Sequence, residues 1–269
     1  MIRINERKCL KCHACVNECV VHVLRPNAQN IPTVRPDEER FCLHCQHCLA
    51  VCPVGALECH GISPETCGHI REIPSSETMM NLIRQRRSIR QYRDEDVDEK
   101  TMEALLQALA WSPTGCNVHD LFFTVIRRKS EMDVFRNKMS ETLKLLIKTG
   151  ILRFVYPNFW RYMDELQNGV DVIFRNAPHL IVAASPNTAP CREADPWIAL
   201  SYFDLLAQSF GIGTCWCGFA VHAFRWLPSL KRRLAIPRGY TIRAVLLFGY
   251  PAVEYKRQTS PAPFQIKML

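Results

Sequence analysis

The stretch CLHCQHCLAVCP, residues 42–53, places four cysteines and a proline in twelve positions. The same spacing occurs earlier as CLKCHACVNEC, residues 9–19. Cys9, Cys12, Cys15 and Cys19 follow C-x2-C-x2-C-x3-C, and Cys42, Cys45, Cys48 and Cys52 repeat it. Three cysteines at intervals of three wrap one loop of backbone around a cube of iron and sulfur. The fourth, on the helix that follows, reaches the neighbouring cube. This assigns Cys9, Cys12, Cys15 and Cys52 to one [4Fe–4S] cluster, and Cys42, Cys45, Cys48 and Cys19 to a second. Structural zinc is the competing reading, but it takes two C-x2-C pairs per ion and has no use for a third cysteine three residues on.

Residues 1–70 resemble a bacterial two-cluster ferredoxin. Pro53 follows Cys52 as that family expects, whereas Val20 follows Cys19; the proline orients the chain and is not a ligand. His13, His44 and His47 lie inside the loops. With each coordination sphere already filled, they are read as exposed residues that modulate potential. Cys59 and Cys67 are too few for a third cluster and are read as ordinary small apolar residues.

At 269 residues the chain has room for a small domain and one of ordinary size. Apolar residues at 48% and charged residues at 22% are a globular composition. No run of about 18 apolar residues suggests a membrane span, and the start MIRINERKCL offers no signal-like segment. The expectation is a cytoplasmic chain with no membrane partner. Its fourteen cysteines are then reduced thiols and not a disulfide framework.

The cysteine density ends near GHIREIPSSET, residues 68–78. Residues 71–78 read as a linker, and 79–269 as a second domain. TMMNLIRQRR looks helical. Met102, Leu105, Leu106 and Leu109 recur at spacings of three and four behind a cap near Asp98, which predicts an amphipathic helix. Buried strands are expected at 121–127, 179–185 and 241–250, and helices near 130–148, 158–167 and 195–210. The fold class is α+β, with a mixed sheet flanked by helices.

Three stretches of this domain suit a planar cofactor that carries a phosphate. RQRRSIRQYR, residues 84–93, has five arginines in ten positions, and guanidinium forks pair with phosphate in two-point geometry. A solvated basic face is the plain alternative for that run taken alone. SPTGCNVHD, residues 112–120, is a loop between helix and strand, where binding groups often lie. GIGTCWCG, residues 211–218, follows a helix, with Trp216 expected in a turn. The dinucleotide fingerprint instead follows a strand and opens a helix, so a Rossmann site is not expected.

RRSIRQY before a helix, SPTGCN after it, GIGTCWCG after a later helix, and GYPA at 249–252 together resemble the nitroreductase family of FMN proteins, over residues 76–269. The resemblance implies a homodimer with FMN at the subunit interface. It implies that Arg86, Arg87, Ser88 and Arg90 hold the phosphate and ribityl chain, joined late by Lys256 and Arg257. Asn117 would meet the ribityl or ring edge. Pro113, Thr114 and Gly115 would line the ring from the partner chain. The backbone of Gly213, Thr214, Cys215, Trp216 and Gly218 would face the ring near its reactive nitrogen.

Where many members continue the asparagine loop with Gln-Pro-Trp, this chain has Val118, His119 and Asp120, which leaves substrate range open. His119 is read as structural, and Cys116, Cys215 and Cys217 as packing residues; one intervening residue is too tight for an ordinary disulfide between the last two. No protein side chain is assigned as catalytic, because the chemistry is the flavin's.

The function expected is an FMN-dependent oxidoreductase passing electrons between two [4Fe–4S] clusters and FMN. It would reduce a small acceptor such as a nitroaromatic, quinone or activated alkene, with NAD(P)H or reduced ferredoxin as donor. An electron-transfer protein relaying to a protein partner is the alternative. A nucleic-acid partner is not expected. The formal charge of +8 is largely offset by roughly −2 from each cluster and about −2 from a flavin phosphate.

Overall fold

In the computed structural model, which describes residues 1–149 and 162–269, the two cysteine runs fold alike. Cys12 is flanked by Lys11 (φ 56°) and His13 (φ 58°), and Cys45 by His44 (φ 54°) and Gln46 (φ 61°). Left-handed backbone costs a non-glycine residue roughly 1–2 kcal/mol, and here it bends the chain on both sides of each middle cysteine. Lys11 N donates to Cys9 Sγ, and His44 N to Cys42 Sγ, each at 3.4 Å. A short helix follows each loop, Ala14–Glu18 and His47–Ala50.

Two antiparallel pairs frame these loops. β1 (Ile2–Ile4) pairs with β4 (Leu57–Cys59), and β2 (Leu24–Pro26) with β3 (Pro32–Val34). Between them lies a small core of Leu24, Cys48, Leu49, Leu57 and Cys59, with Cys15 and Cys19 packed on it. Sulfur supplies much of what is buried. By its internal contacts this unit comprises Met1–Ile73 with Cys116–Val118, and a second comprises Pro74–Gly115 with His119–Leu269.

The second unit is built on a four-stranded sheet ordered β5-β6-β8-β7, formed by Phe122–Ile126, His179–Pro186, Tyr240–Gly249 and Gly213–Trp216 respectively. All three ladders are antiparallel. Parallel pairing enters at the outer edge, where Ser88 bridges Thr214. Side chains of a strand alternate between faces, and both faces are covered. Ile181, Ala183, Ala244, Leu246 and Phe248 meet Ala199, Leu200, Phe203 and Ala207 of the helix Asp195–Ser209, with Met102 and Leu105 of the helix Glu99–Gln107. Leu180, Val182, Val245 and Leu247 meet Met132, Phe135 and Met139 of the helix Lys129–Lys148, and Phe224 of the helix Gly218–Trp226. A strand buried on both sides needs apolar residues at nearly every position, which is why 180–184 and 244–248 read as unbroken apolar runs.

The expected helices form. Ser75 caps Ser76–Gln85 by accepting from Thr78 N, and Asp98 caps Glu99–Gln107 by accepting from Thr101 N at 2.9 Å. The first begins inside the stretch read as a linker. Of the helix expected near 158–167, Met163–Gln167 is helical and residues 158–161 lie outside the described residues. One expectation is corrected. Residues 213–216 form β7, with Trp216 its last residue, not a turn; helix Gly218–Trp226 follows. Pairing with Leu246–Gly249 of β8 overrides the weak strand tendency of Gly213. Strand-then-helix order therefore does occur here, but Trp216 stands where the third glycine of a dinucleotide fingerprint belongs. Among the described residues no helix is long and apolar enough to cross a membrane.

His179 opens β6 fully buried. Its Nε2 accepts from Val97 N at 2.8 Å and its Nδ1 donates to the Ile126 carbonyl at 3.2 Å, so the ring is neutral. Burial holds it below the usual histidine range. Between its folded value and the unfolded value near 6.5 the unfolded chain binds the extra proton. The stability this ring contributes is therefore complete above about pH 6.5 and is lost as the pH falls below it. Urea unfolding at about pH 7.5 and 5.5 should show that decline, and His179→Gln should flatten it; an unchanged slope in the variant would assign the decline elsewhere.

Candidate functional site

In the first unit the thiols fall into two sets. Burial raises the Cys15 thiol, and the neighbouring sulfurs of Cys52, Cys9 and Cys12 raise it further. Those are the residues that the spacing assigns to the first cluster. Cys19, Cys42, Cys45 and Cys48 line a second, narrow cavity together with Cys59 and the apolar side chains of Ile2, Val23 and Leu24. Burial, then Cys59 and Cys42, push the Cys48 thiol up to about 12. Sulfurs so massed cannot all ionise unless a cation neutralises them, so this donor set fits iron, which takes thiolates. The N–H groups that point at Cys9 and Cys42, and Ala56 N on Cys52 Sγ at 3.2 Å, suit sulfurs that carry charge.

The histidines in the loops differ. His13 Nε2 meets the Asn30 carbonyl at 3.1 Å, and His47 Nδ1 meets Glu18 at 3.2 Å. His44 stacks on His60 with centroids 3.6 Å apart, and their nitrogens lie within 4.8 Å of Cys42 Sγ.

In the second unit the arginine run and the glycine-spaced segment come together. The helix Ser76–Gln85 takes in Arg84 and stops before Arg86, and the chain then runs beside β7. Ser88 bridges Thr214, and Ile89 N donates to the Thr214 carbonyl at 2.8 Å. This approach requires glycine at 213, because a Cβ there would lie 2.5 Å from Ile89 Cγ1. GYPA closes on the same edge. Arg93 N donates to the Tyr250 carbonyl at 2.8 Å, and Ala252 N to that of Gln91 at 2.9 Å. The result is a groove walled by Arg87, Gln208, Gly213, Thr214, Pro251 and Tyr255.

Arg86 Nη1, Arg87 Nε and Gln208 Oε1 are buried with no hydrogen-bond partner among the described residues. An unpaired buried donor costs about 1–3 kcal/mol, so the cationic one on the groove wall, Arg87 Nε, marks a place for an acceptor. Arg90 is exposed. Its charge, with those of Arg175 and Arg86, opposes the burial that raises the Cys215 thiol. Lys256 and Arg257 follow the groove wall and are exposed, and Lys256 is paired with Glu254 at 2.5 Å.

The other predicted positions have partners of their own. Gly115 N donates to both carboxylate oxygens of buried Asp195 at 3.1 Å. Thr114 Oγ1 accepts from His119 N at 3.0 Å, while Pro113 is exposed. Asn117 Nδ2 donates to the Leu43 carbonyl at 3.0 Å within the first unit. Cys116, Asn117 and His119 all have left-handed backbone (φ 53°, 56° and 47°), a conformation that asparagine tolerates and the other two adopt under strain. Cys217 is buried with its thiol pushed up to about 12 by that burial, and it donates to the Ile173 carbonyl at 3.3 Å. Gly218 opens the following helix and is exposed.

Sequence reasoning passed over Asp204. It is 4% exposed on the helix Asp195–Ser209. Its carboxylate accepts from Thr214 Oγ1 and, at 3.2 Å, from Trp216 Nε1, with Arg86 Nη1 at 3.8 Å. Trp216 in turn stacks on Trp197, centroids 5.1 Å apart. A lone acid in the apolar run WIALSYFDLLA was the available signal, since buried acids are paired. Asp204→Ala should lower the unfolding free energy by about 1.5–3 kcal/mol, the worth of hydrogen bonds to a buried charge, and shift tryptophan emission. Urea unfolding followed by fluorescence measures both; unchanged stability would show that the carboxylate holds nothing.

Comparison with known proteins agrees with this division. Residues 83–250 match the family described as Nitroreductase family, and residues 8–56 match the 4Fe-4S dicluster domain. A relative from Archaeoglobus fulgidus, provisionally named NADH dehydrogenase/NAD(P)H nitroreductase, is 26% identical over 66% of this chain and 88% of its own. A nitroreductase with bound FMN from Desulfitobacterium hafniense shares the fold (TM-score 0.57, 21% identity, 71% of this chain and 97% of that one). So does one from Bacteroides fragilis (TM-score 0.55, 18% identity, 71% and 98%). With more than half of its length matched, the chain belongs to the nitroreductase family and carries a 4Fe-4S dicluster domain at its N-terminal end.

Proposed function

We propose that the chain is an FMN-dependent oxidoreductase carrying two [4Fe–4S] clusters. The observation that carries the flavin assignment is the pair of buried cationic donors without a hydrogen bond, Arg87 Nε and Arg86 Nη1, the second with only the Asp204 carboxylate as an ionic neighbour, on the segment bridged to β7. Family membership, and the FMN bound in the structures that share the fold, support it. When bound, the flavin supplies hydride chemistry and the clusters supply single electrons, so the two together convert one currency into the other and reduce a small acceptor such as a nitroaromatic, quinone or activated alkene.

The protein's own part is binding and positioning. Arg86, Arg87, Ser88 and Arg90, with Lys256 and Arg257, hold the phosphate and ribityl end, where guanidinium forks match phosphate geometry. Asp204 fixes Arg86, Thr214 and Trp216 relative to one another, so the strand Gly213–Trp216 presents its backbone to the ring from a rigid base. Asn117 takes the ribityl or ring edge, and Pro113, Thr114 and Gly115 line the ring from a second copy of the chain. The eight cysteines of the two runs hold the clusters. Either NAD(P)H, as the name of the Archaeoglobus relative suggests, or reduced ferredoxin is the donor. A cytoplasmic location is part of this reading, supported by fourteen cysteines that are all free thiols.

A homodimer is part of this reading. Trp111 (82% exposed) and Tyr202 (44%) flank an open apolar groove with Ala104, Ala108, Leu205 and Leu206. Exposed apolar surface of this kind marks an interface. Sedimentation of the intact protein should give a dimer, and Trp111→Asp a monomer; a native chain that sediments as a monomer would remove the shared site from the reading.

Anaerobically purified protein should contain stoichiometric FMN, and Arg87→Ala should weaken its retention about tenfold or more, roughly the worth of one charge-assisted pair. Mixing the holo-protein separately with NADH, NADPH and reduced ferredoxin then identifies the donor by which one bleaches the flavin. A protein that takes up no flavin would end this reading.

A further inference from the structure

A [4Fe–4S] cube takes four thiolates, yet five sulfurs wall the second cavity: Cys19, Cys42, Cys45, Cys48 and Cys59. The cysteine spacing accounts for the first four. Cys59 lies outside both runs and was read from sequence as a packing residue, but its position is not that of filler. It ends β4 opposite Ile2, 1% exposed. Its backbone is clamped by reciprocal bonds with Ile62, each at 3.0 Å, and the next residue's N–H donates to the Met1 carbonyl at 2.9 Å. The sulfur therefore stays in the cavity wall. It shares that wall with Cys42, Cys45 and Cys48, three of the four ligands assigned by spacing.

Cys19 lies nearer the surface than Cys59. It is half-buried, caps a helix of five residues, and precedes Val20, which is 72% exposed. Among the four ligands of this set it is the one contributed by the other run, so any relaxation of that loop stretches its bond first.

We propose that Cys59 is a fifth thiol of the second cluster site, a reserve ligand that takes the iron of Cys19 when that bond is lost. The exchange balances without a redox partner. The iron–Sγ bond of Cys19 breaks and that of Cys59 forms; the proton leaving the Cys59 thiol passes to the Cys19 thiolate, and no electron moves. Net charge in the cavity is unchanged. This inference rests on the reading that the second run holds a [4Fe–4S] cluster.

The test uses the full chain, reconstituted anaerobically, in four forms: native, Cys19→Ala, Cys59→Ala and the double variant. Iron and sulfide are counted, and the oxidised proteins are examined by electron paramagnetic resonance for the signal of a three-iron cluster. Native protein and both single variants should hold about eight irons per chain without that signal. The double variant should lose about one iron and show it, while the first cluster's spectrum stays intact as the control for folding. Three-iron signal in Cys19→Ala as strong as in the double variant would overturn the proposal, as would loss of iron in Cys59→Ala alone. If Cys19→Ala fails to fold, Cys19→Ser with and without Cys59→Ala decides instead: the cluster's midpoint potential should move only in the double variant, where oxygen must replace sulfur, and a shift already present in Cys19→Ser would count against the reserve ligand. Native protein that binds zinc and no iron would remove the cluster reading itself, separately from any result at Cys59.

Discussion

The second unit hangs on one ladder, the pairing of β6 with β8. Eight residue pairs from His179–Phe248 to Pro186–Tyr240 hold it, and helices cover both of its faces. In such a position a strand cannot slip by one residue without carrying its side chains to the wrong face, so its register is fixed by packing on two sides at once. The other elements take their places from it. β5 is pinned to β6 and β7 to β8, and the segment with the arginines is bridged to β7. The groove is thus the third layer in a chain of dependence that begins in the most buried part of the molecule. That order suits the task proposed for the groove, holding a planar group in one orientation.

Asp204 is what turns this placement into chemistry. A carboxylate taken out of water is destabilising unless its lone pairs are met, and here a hydroxyl, an indole and a guanidinium meet them. The three belong to two segments far apart in sequence, so one buried charge sets the separation between the cationic rim and the strand beside it. Arg86 is left with capacity to spare, since its Nη1 has an ionic neighbour but no hydrogen bond.

How much of this could be read in advance depends on whether the cause is local. The cysteine runs were legible because iron–sulfur coordination fixes ligand spacing over a few residues, and the loop geometry repeats with it. β6 and β8 were legible because burial on both faces leaves continuous apolar runs at their centres, 180–184 and 244–248, and the helix at 99–107 because its cap and its apolar spacing lie in the same ten residues. β7 was not. It is four residues long and glycine-bearing, and it is a strand only because β8 passes alongside. Asp204 and Cys59 were passed over for a related reason. An acid in a helix and a cysteine in a short strand carry no spacing signal, and their meaning comes from partners brought to them by the fold: 10 residues away for Thr214, and at the far side of a cavity for the sulfurs of the second set.

The core of the N-terminal unit has a consequence for how the protein comes into being. Its buried side chains are few, and two of the five that form its centre are cysteines. A segment of this size buries too little hydrocarbon to offset the entropy of ordering its loops, and several of those loop residues carry left-handed backbone that costs more still. What a larger domain obtains from oil this one must obtain from inorganic bonds. Acquisition of iron and sulfide and the folding of the unit are then a single event.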